Sequence, residues 1–237
     1  MRPRRPVPAS AWVGVLVVSL GVGLGTPWWT DARGAAAYPV SADDLAAARA
    51  ALAAMPVRVA DPDTGYDRER FGQAWADVDG NGCDTRNDVL ARDLVDVRLD
   101  VDGCVVLAGT LVDPYSGRTV AFVRGPSSAQ VQIDHVVALA DAWRTGAQAW
   151  PAARRVAFAN DPANLLAVTG ETNQDKGAAD AATWLPPQGG YGCVYVLRQL
   201  RVKVAYGLWL TPDEREAAAR ALDGCVVVRS GRRRPGR

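Results

Sequence analysis

The chain has 237 residues, 49% of them hydrophobic and 22% charged, which excludes an intrinsically disordered protein and allows a sizeable buried core. Its formal charge is +1; residues 1–37, read below as a leader, carry four arginines and one aspartate, leaving 23 basic against 25 acidic side chains and a charge of about −2. That balance excludes a global basic field, so any contact with a polyanion must come from a local patch.

The chain opens with cationic Arg2, Arg4 and Arg5, an apolar run from Ala11 to Gly25, and the small residues Ala35-Ala36-Ala37. This order predicts a secretory signal peptide over 1–37, because about 15 apolar residues are too few for the roughly 20 that span a bilayer. No cysteine follows the run to carry a lipid, so the protein is expected to be secreted and free of the membrane once the leader is cleaved. All four cysteines, Cys83, Cys104, Cys193 and Cys225, lie beyond the leader, and an even count in an oxidising compartment predicts two disulfides. Spacings of 21, 89 and 32 residues contain no CxxC pair, which disfavours a zinc site.

Ser41 and Asp44 stand in capping-box-like positions ahead of a first helix that presents Leu45, Ala48 and Leu52 on one face and stops before Pro56. A short helix is expected behind Cys83 in GCDTRNDVLARDL. Alternation in VDVRLDV, a turn at Asp102-Gly103, the run CVVLAGTLV, the turn DPYSG and the run RTVAFV then predict a hairpin region. Near the end, CVYVLRQLRVKVAYG places Cys193, Val196, Leu197, Leu200 and Val204 on one helical face. LTPDEREAAARALDG starts with Thr211 as N-cap, Pro212 at the first position and Glu214 completing a capping box. An antiparallel pair of helices brings the start of the first close to the end of the second. Of the three possible pairings this favours Cys83 with Cys104 and Cys193 with Cys225. One compact unit over 38–225 is expected, followed by a basic, disordered tail over 226–237.

The chemistry concentrates between hairpin and helical tail. His135 is the only histidine and follows Asp134 in the strand-like run QIDHVVAL; Asn164 precedes the strand-like LLAV; Asn173 and Lys176 lie three apart on an expected helix, ETNQDKG. Asp134 and Asn173 offer hard oxygen ligands suited to Mg²⁺ or Mn²⁺. His135 titrates near neutrality in its unperturbed state and can take a proton from water, and Lys176 is a point charge for phosphate. Strict pleat alternation would send Asp134 and His135 to opposite faces, so a strand end or bulge is expected there.

These residues, with GCDTRNDVLARDL, DPYSG and WLPP, make the segment from about Tyr66 to Cys225 resemble the His-Asn-His (HNH) endonucleases of ββα-metal fold. It resembles especially secreted bacterial members related to the C-terminal domain of GmrSD-type restriction enzymes. The resemblance implies an α+β fold: a ββα-metal core over about 128–186, an N-terminal helix and hairpin, and a C-terminal helical hairpin. It further implies that a single Mg²⁺ or Mn²⁺ is held by Asp134 and Asn173, that His135 activates the water, and that Asn164 holds the loop aiming His135. The substrate would be nucleic acid, with DNA favoured over RNA, and the products 5′-phosphate and 3′-hydroxyl ends. Lys176 and Arg86 are the expected phosphate contacts, with Arg144, Arg154 and Arg155 as further candidates, and a monomer is expected. The alternative is a catalytically inactive exported module of the same fold that binds polyanions or cell-wall components. A nucleophilic hydrolase is disfavoured, because no GxSxG surrounds a serine and disulfides consume the thiols. Trp143, Trp150 and Trp184 sit among apolar neighbours and are read as core.

Overall fold

A computed structural model describes residues 37–228. Apart from Ala37, the expected leader lies outside the described residues, as does the arginine run from residue 229 onward. Among the described residues seven α-helices and two small antiparallel sheets form an α+β architecture. None of the described helices is long and apolar enough to cross a membrane.

Helix α1 (Ala42–Ala54) begins where the Ser41 side chain accepts the Asp44 N–H, and it buries Leu45, Ala48 and Leu52 as its spacing predicts. Helix α2 (Thr85–Asp93) is capped by Asp84, whose carboxylate accepts the Asn87 N–H at 2.8 Å. Three strands follow in meander order, β1 (Val95–Leu99), β2 (Val106–Val112) and β3 (Thr119–Val123), one in each of the three runs read for the hairpin region. The second sheet pairs β4 (Val131–His135) with β5 (Leu165–Thr169), setting Asp134 opposite Leu166 and His135 opposite Leu165. Between these strands the chain forms α3 (Leu139–Arg144) and α4 (Ala152–Ala159). Helix α5 (Gly170–Lys176) then leaves β5 without a loop. Gly170 is required at that junction, since a Cβ there would lie 2.5 Å from the Ala129 carbonyl oxygen.

Helix α6 (Tyr191–Ala205) and helix α7 (Pro212–Asp223) complete the chain, α7 starting with the capping box of Thr211 and Glu214. Both disulfides join the expected pairs, Cys83 with Cys104 and Cys193 with Cys225. The face expected for α6 is rotated at its end: Val204 is half-exposed, whereas Lys203 is fully buried because two carboxylates meet its ammonium. Residues 226–228, expected from sequence to belong to the tail, pair with the start of the described chain: Val40 donates to the Val226 carbonyl and Val228 donates back to Val40, both at 2.9 Å.

Three apolar clusters surround β4 and β5. One joins α1, α6 and α7 through Leu52, Val196, Leu200 and Leu222, and extends to Val136 and Val168. A second contains Phe71, Val137, Trp143 and Phe158; a third sets Leu90, Leu111 and Phe122 against Ile133 and Leu165. Trp143 is buried in the second cluster, and Trp150 and Trp184 pack half-buried at cluster edges, in keeping with a core role. With every residue of β5 buried, the strand pair is a rigid platform for the side chains at its end.

Candidate functional site

Asp134 and His135 are the last two residues of β4, so the strand end that the sequence called for is present. Past it, the Val136 N–H donates to the Asn164 carbonyl at 2.8 Å. The Asn164 carboxamide accepts the Val137 N–H at 2.8 Å and donates to the Val137 carbonyl at 3.2 Å, replacing the missing strand partner on both sides. Arg92 and Arg198 in turn each donate to the carbonyls of Pro162 and Leu165, fixing the turn that carries Asn164. Asn164 is fully buried and touches backbone only, a positioning residue for the segment after His135.

His135 is buried, with Nε2 2.8 Å from the Ala159 carbonyl oxygen. A carbonyl can only accept, so this contact places the proton on Nε2 and leaves Nδ1 as the basic nitrogen. Burial pushes the imidazole pKa down to about 3, against the pull of the Ala159 carbonyl, so the ring is neutral at physiological pH. Asp134 is buried too. Its Oδ1 receives the Lys176 ammonium at 2.8 Å and its Oδ2 the Tyr115 hydroxyl at 2.6 Å. Burial raises the Asp134 carboxyl above the usual range, and the charge and hydrogen bond of Lys176 and the Tyr115 hydroxyl pull it back. Tyr115 reaches this position because Asp113, fully buried, accepts its N–H and also the Thr169 hydroxyl, tying the turn after β2 to the end of β5.

A cavity of about 240 Å³ opens where these elements meet, lined by Asp134, His135 and Asn173 together with Tyr66 and Arg68. Three of the residues singled out by sequence are thus brought to one chamber. Asn173 donates from Nδ2 to Gln132 Oε1 at 2.8 Å, which orients its carboxamide and keeps its oxygen available as a ligand. Lys176 is placed differently from a phosphate contact: its side chain is fully buried and its ammonium is held by Asp134 and by the His135 carbonyl at 2.8 Å. The physical reason is that a carboxylate buried this deeply needs a counter-charge at contact distance.

The expected arginine patch is also mostly committed. Arg86 is half-buried against the Phe122 ring with Nη2 3.4 Å from the Val131 carbonyl, and burial lowers its pKa. Arg144, Arg154 and Arg155 donate to the carbonyls of Ala178, Tyr206 and Arg70. The guanidinium that does line the cavity belongs to Arg68, on a short 3₁₀ turn (Arg68–Phe71), exposed and without an ion-pair partner among the described residues. Neither Arg68 nor Tyr115 carries a sequence signal: one is an ordinary surface arginine in the chain, the other part of a turn.

Asp141, Asp180 and Glu214 also bring three carboxylate oxygens within 4.8 Å of one another. That cluster already holds a cation, because the buried Lys203 ammonium lies 3.0 Å from Asp141 and 2.6 Å from Glu214. Burial raises the Glu214 pKa above the usual carboxylate range, Lys203 opposes it, and crowding with Asp141 adds to the rise. This is a structural ion-pair network joining α3, α6 and α7.

Comparison with known proteins agrees with the region these residues occupy. Residues 84–221 match the family model for the C-terminal domain of GmrSD restriction endonucleases. A protein of Arthroderma benhamiae, described as an uncharacterized secreted protein, is 36% identical over 189 residues, covering 79% of this chain and 89% of that one. No solved structure matches the chain. The match spans α2, both sheets, Asp134, His135 and Asn173 of the cavity wall and most of α7, while Tyr66 and Arg68 precede it; it carries with it a nuclease-like function of restriction-endonuclease type. The chain belongs to the family of GmrSD restriction endonuclease C-terminal domains.

Proposed function

We propose that the protein is an exported, divalent-metal-dependent endonuclease of HNH type that hydrolyses phosphodiester bonds at the cavity between β4, α3 and α5. The observation that carries this reading is the convergence of Asp134, His135 and Asn173 on one chamber from positions up to 39 residues apart. Two disulfides and the name of the A. benhamiae relative support export.

The donor set fits a hard cation. Asn173 Oδ1 is free, and each carboxylate oxygen of Asp134 has a second lone pair beyond the one used by Lys176 or Tyr115. Water and phosphate would complete the coordination of Mg²⁺ or Mn²⁺, as is usual for sites with few protein ligands. When bound, the ion supplies Lewis-acid stabilisation of the charge that develops on the phosphoryl and 3′ oxygens. Lys176 and Tyr115 hold the carboxylate in a single orientation.

His135 has the geometry of a base. Its Nε2 proton is spent on Ala159, Nδ1 is left to take a proton from water, and the low pKa keeps that nitrogen unprotonated before reaction. Taking up the proton creates an imidazolium that burial disfavours, and the anionic phosphodiester seated beside it offsets that cost. Arg68 supplies the exposed positive charge for phosphate, the role expected from sequence of Lys176 and Arg86. Attack by the water opens the P–O3′ bond and leaves a 5′-phosphate and a 3′-hydroxyl. DNA is the favoured substrate.

The occupied oxygens of Asp134 favour a second reading, a non-cleaving module that binds polyanions through the same chamber. Incubating supercoiled plasmid with the purified protein and Mg²⁺ or Mn²⁺, with and without EDTA, separates the two. Metal-dependent nicking supports the nuclease; a folded protein that binds plasmid and never nicks it supports the module.

A further inference from the structure

Next to the polar chamber lies a second cavity of about 460 Å³, within the roughly 300–1,000 Å³ typical of small-molecule sites. Its walls are of another kind: Phe71, Trp75 and Leu139 supply apolar surface, while His135, Leu139 and Arg68 line both cavities. The two chambers therefore meet at the candidate base and at the unpaired guanidinium. Trp75 is half-buried, and its indole lies nearly parallel to the His135 imidazole, with 15° between the planes and 6.5 Å between centroids. Its backbone sits in the left-handed region at φ 62°, uncommon for a bulky residue, and the neighbouring Ala76 N–H is held by the Asn160 carboxamide at 3.0 Å. The segment is thus fixed in a conformation that local preference does not select.

We infer that the Trp75 cavity is a nucleobase subsite, in which an unpaired base flanking the phosphate at His135 stacks on the indole. The inference rests on the nuclease reading, since it is the phosphate beside His135 that brings a base to this distance. Chemistry favours this occupant over other planar ligands. A nucleotide needs an apolar, aromatic wall for its base and a cation for its phosphate within one nucleotide's reach, and here Arg68 touches both chambers. Stacking on an indole face tolerates any base, so the subsite selects unpaired strand over duplex and not one sequence over another. Single-stranded, frayed or bulged substrates are therefore the class it takes.

The experiment measures binding apart from cleavage. A fluorescein-labelled single-stranded oligodeoxynucleotide, and versions with one abasic residue moved along it, are titrated in EDTA by anisotropy. Single-turnover cleavage is then followed with Mg²⁺ or Mn²⁺. Against wild type, one abasic position is expected to weaken binding by roughly 5- to 150-fold, and Trp75→Ala by a similar factor. In Trp75→Ala the abasic position should have no further effect, and Trp75→Phe should keep most of the affinity. Equal affinity for intact and abasic strands, or an abasic penalty that persists in Trp75→Ala, overturns the subsite. Because the abasic strands are tested on wild type, the result holds even if Trp75→Ala fails to fold. Cleavage with no abasic effect removes the subsite and leaves the nuclease standing. Binding with the abasic pattern and no cleavage keeps the subsite and removes the nuclease, and neither binding nor cleavage removes both.

Discussion

Lys176→Met is the sharpest perturbation of the chamber, because it removes the ammonium 2.8 Å from Asp134 Oδ1 while filling the same space with an apolar chain. Both side chains are buried, so the carboxylate would be left with the Tyr115 hydroxyl alone. Removing one partner of such a pair costs about 3–5 kcal/mol. At roughly 2–4 °C per kcal/mol for a folded unit of this size, thermal unfolding should fall by about 6–20 °C. The sign with pH also follows. Burial already raises the Asp134 carboxyl and Lys176 opposes it, so loss of the lysine raises it further. A group that titrates higher folded than unfolded gains a proton on folding, so its contribution is present at low pH and lost as pH rises through the folded value. The defect should be smaller at pH 5 than at pH 8. Adding Asp134→Asn removes the uncompensated charge, and the double variant should be more stable than Lys176→Met alone, measured by urea and thermal denaturation. A loss under about 1 kcal/mol, or a double variant as unstable as the two single losses summed, would refute the reasoning.

Three further outcomes are expected. Asn164→Ala leaves the Val137 N–H and carbonyl buried without partners, at about 1–3 kcal/mol each, and should lower both denaturation midpoint and single-turnover cleavage rate without abolishing metal binding. The contribution of Glu214 to stability should be lost as pH rises from the unfolded carboxyl value through its raised folded value. Glu214→Gln should flatten that slope in melts taken between pH 4.5 and 8. Reduction with dithiothreitol should destabilise the protein by about 3–4 kcal/mol for each bridge, read as a shift in urea midpoint; an unchanged midpoint would contradict the closed loops of 21 and 32 residues.

Much of the site was legible because its parts are local. Asp134-His135, Asn164 and Asn173 stand beside turn and helix signals that mark a strand end, a loop and a helix, and the structure puts each in that setting. Caps at Ser41 and Thr211 and the cysteine pairings were readable for the same reason. Contacts set by the tertiary fold were not readable. Lys176 looked free for phosphate because nothing nearby in sequence claims it; its partners are 41 and 42 residues away. Tyr115 reads as part of a turn until Asp113 swings it onto Asp134, and Arg68 and Trp75 belong to a segment with no periodic pattern. Lys203 is buried at the end of α6 where Val204 was expected, since its counter-charges come from α3 and α7, which periodicity within α6 cannot show.

The central claim concerns the Nδ1 of one histidine, and single-turnover cleavage of a labelled DNA duplex with a single-stranded flank, at saturating metal, tests it most directly. His135→Ala should slow the chemical step by roughly 10²–10⁴-fold while metal affinity, read by calorimetry, stays within about twofold of wild type. A variant that cuts at the wild-type rate would show that the proton of the attacking water goes elsewhere, and the assignment of this chamber as the active centre would fail.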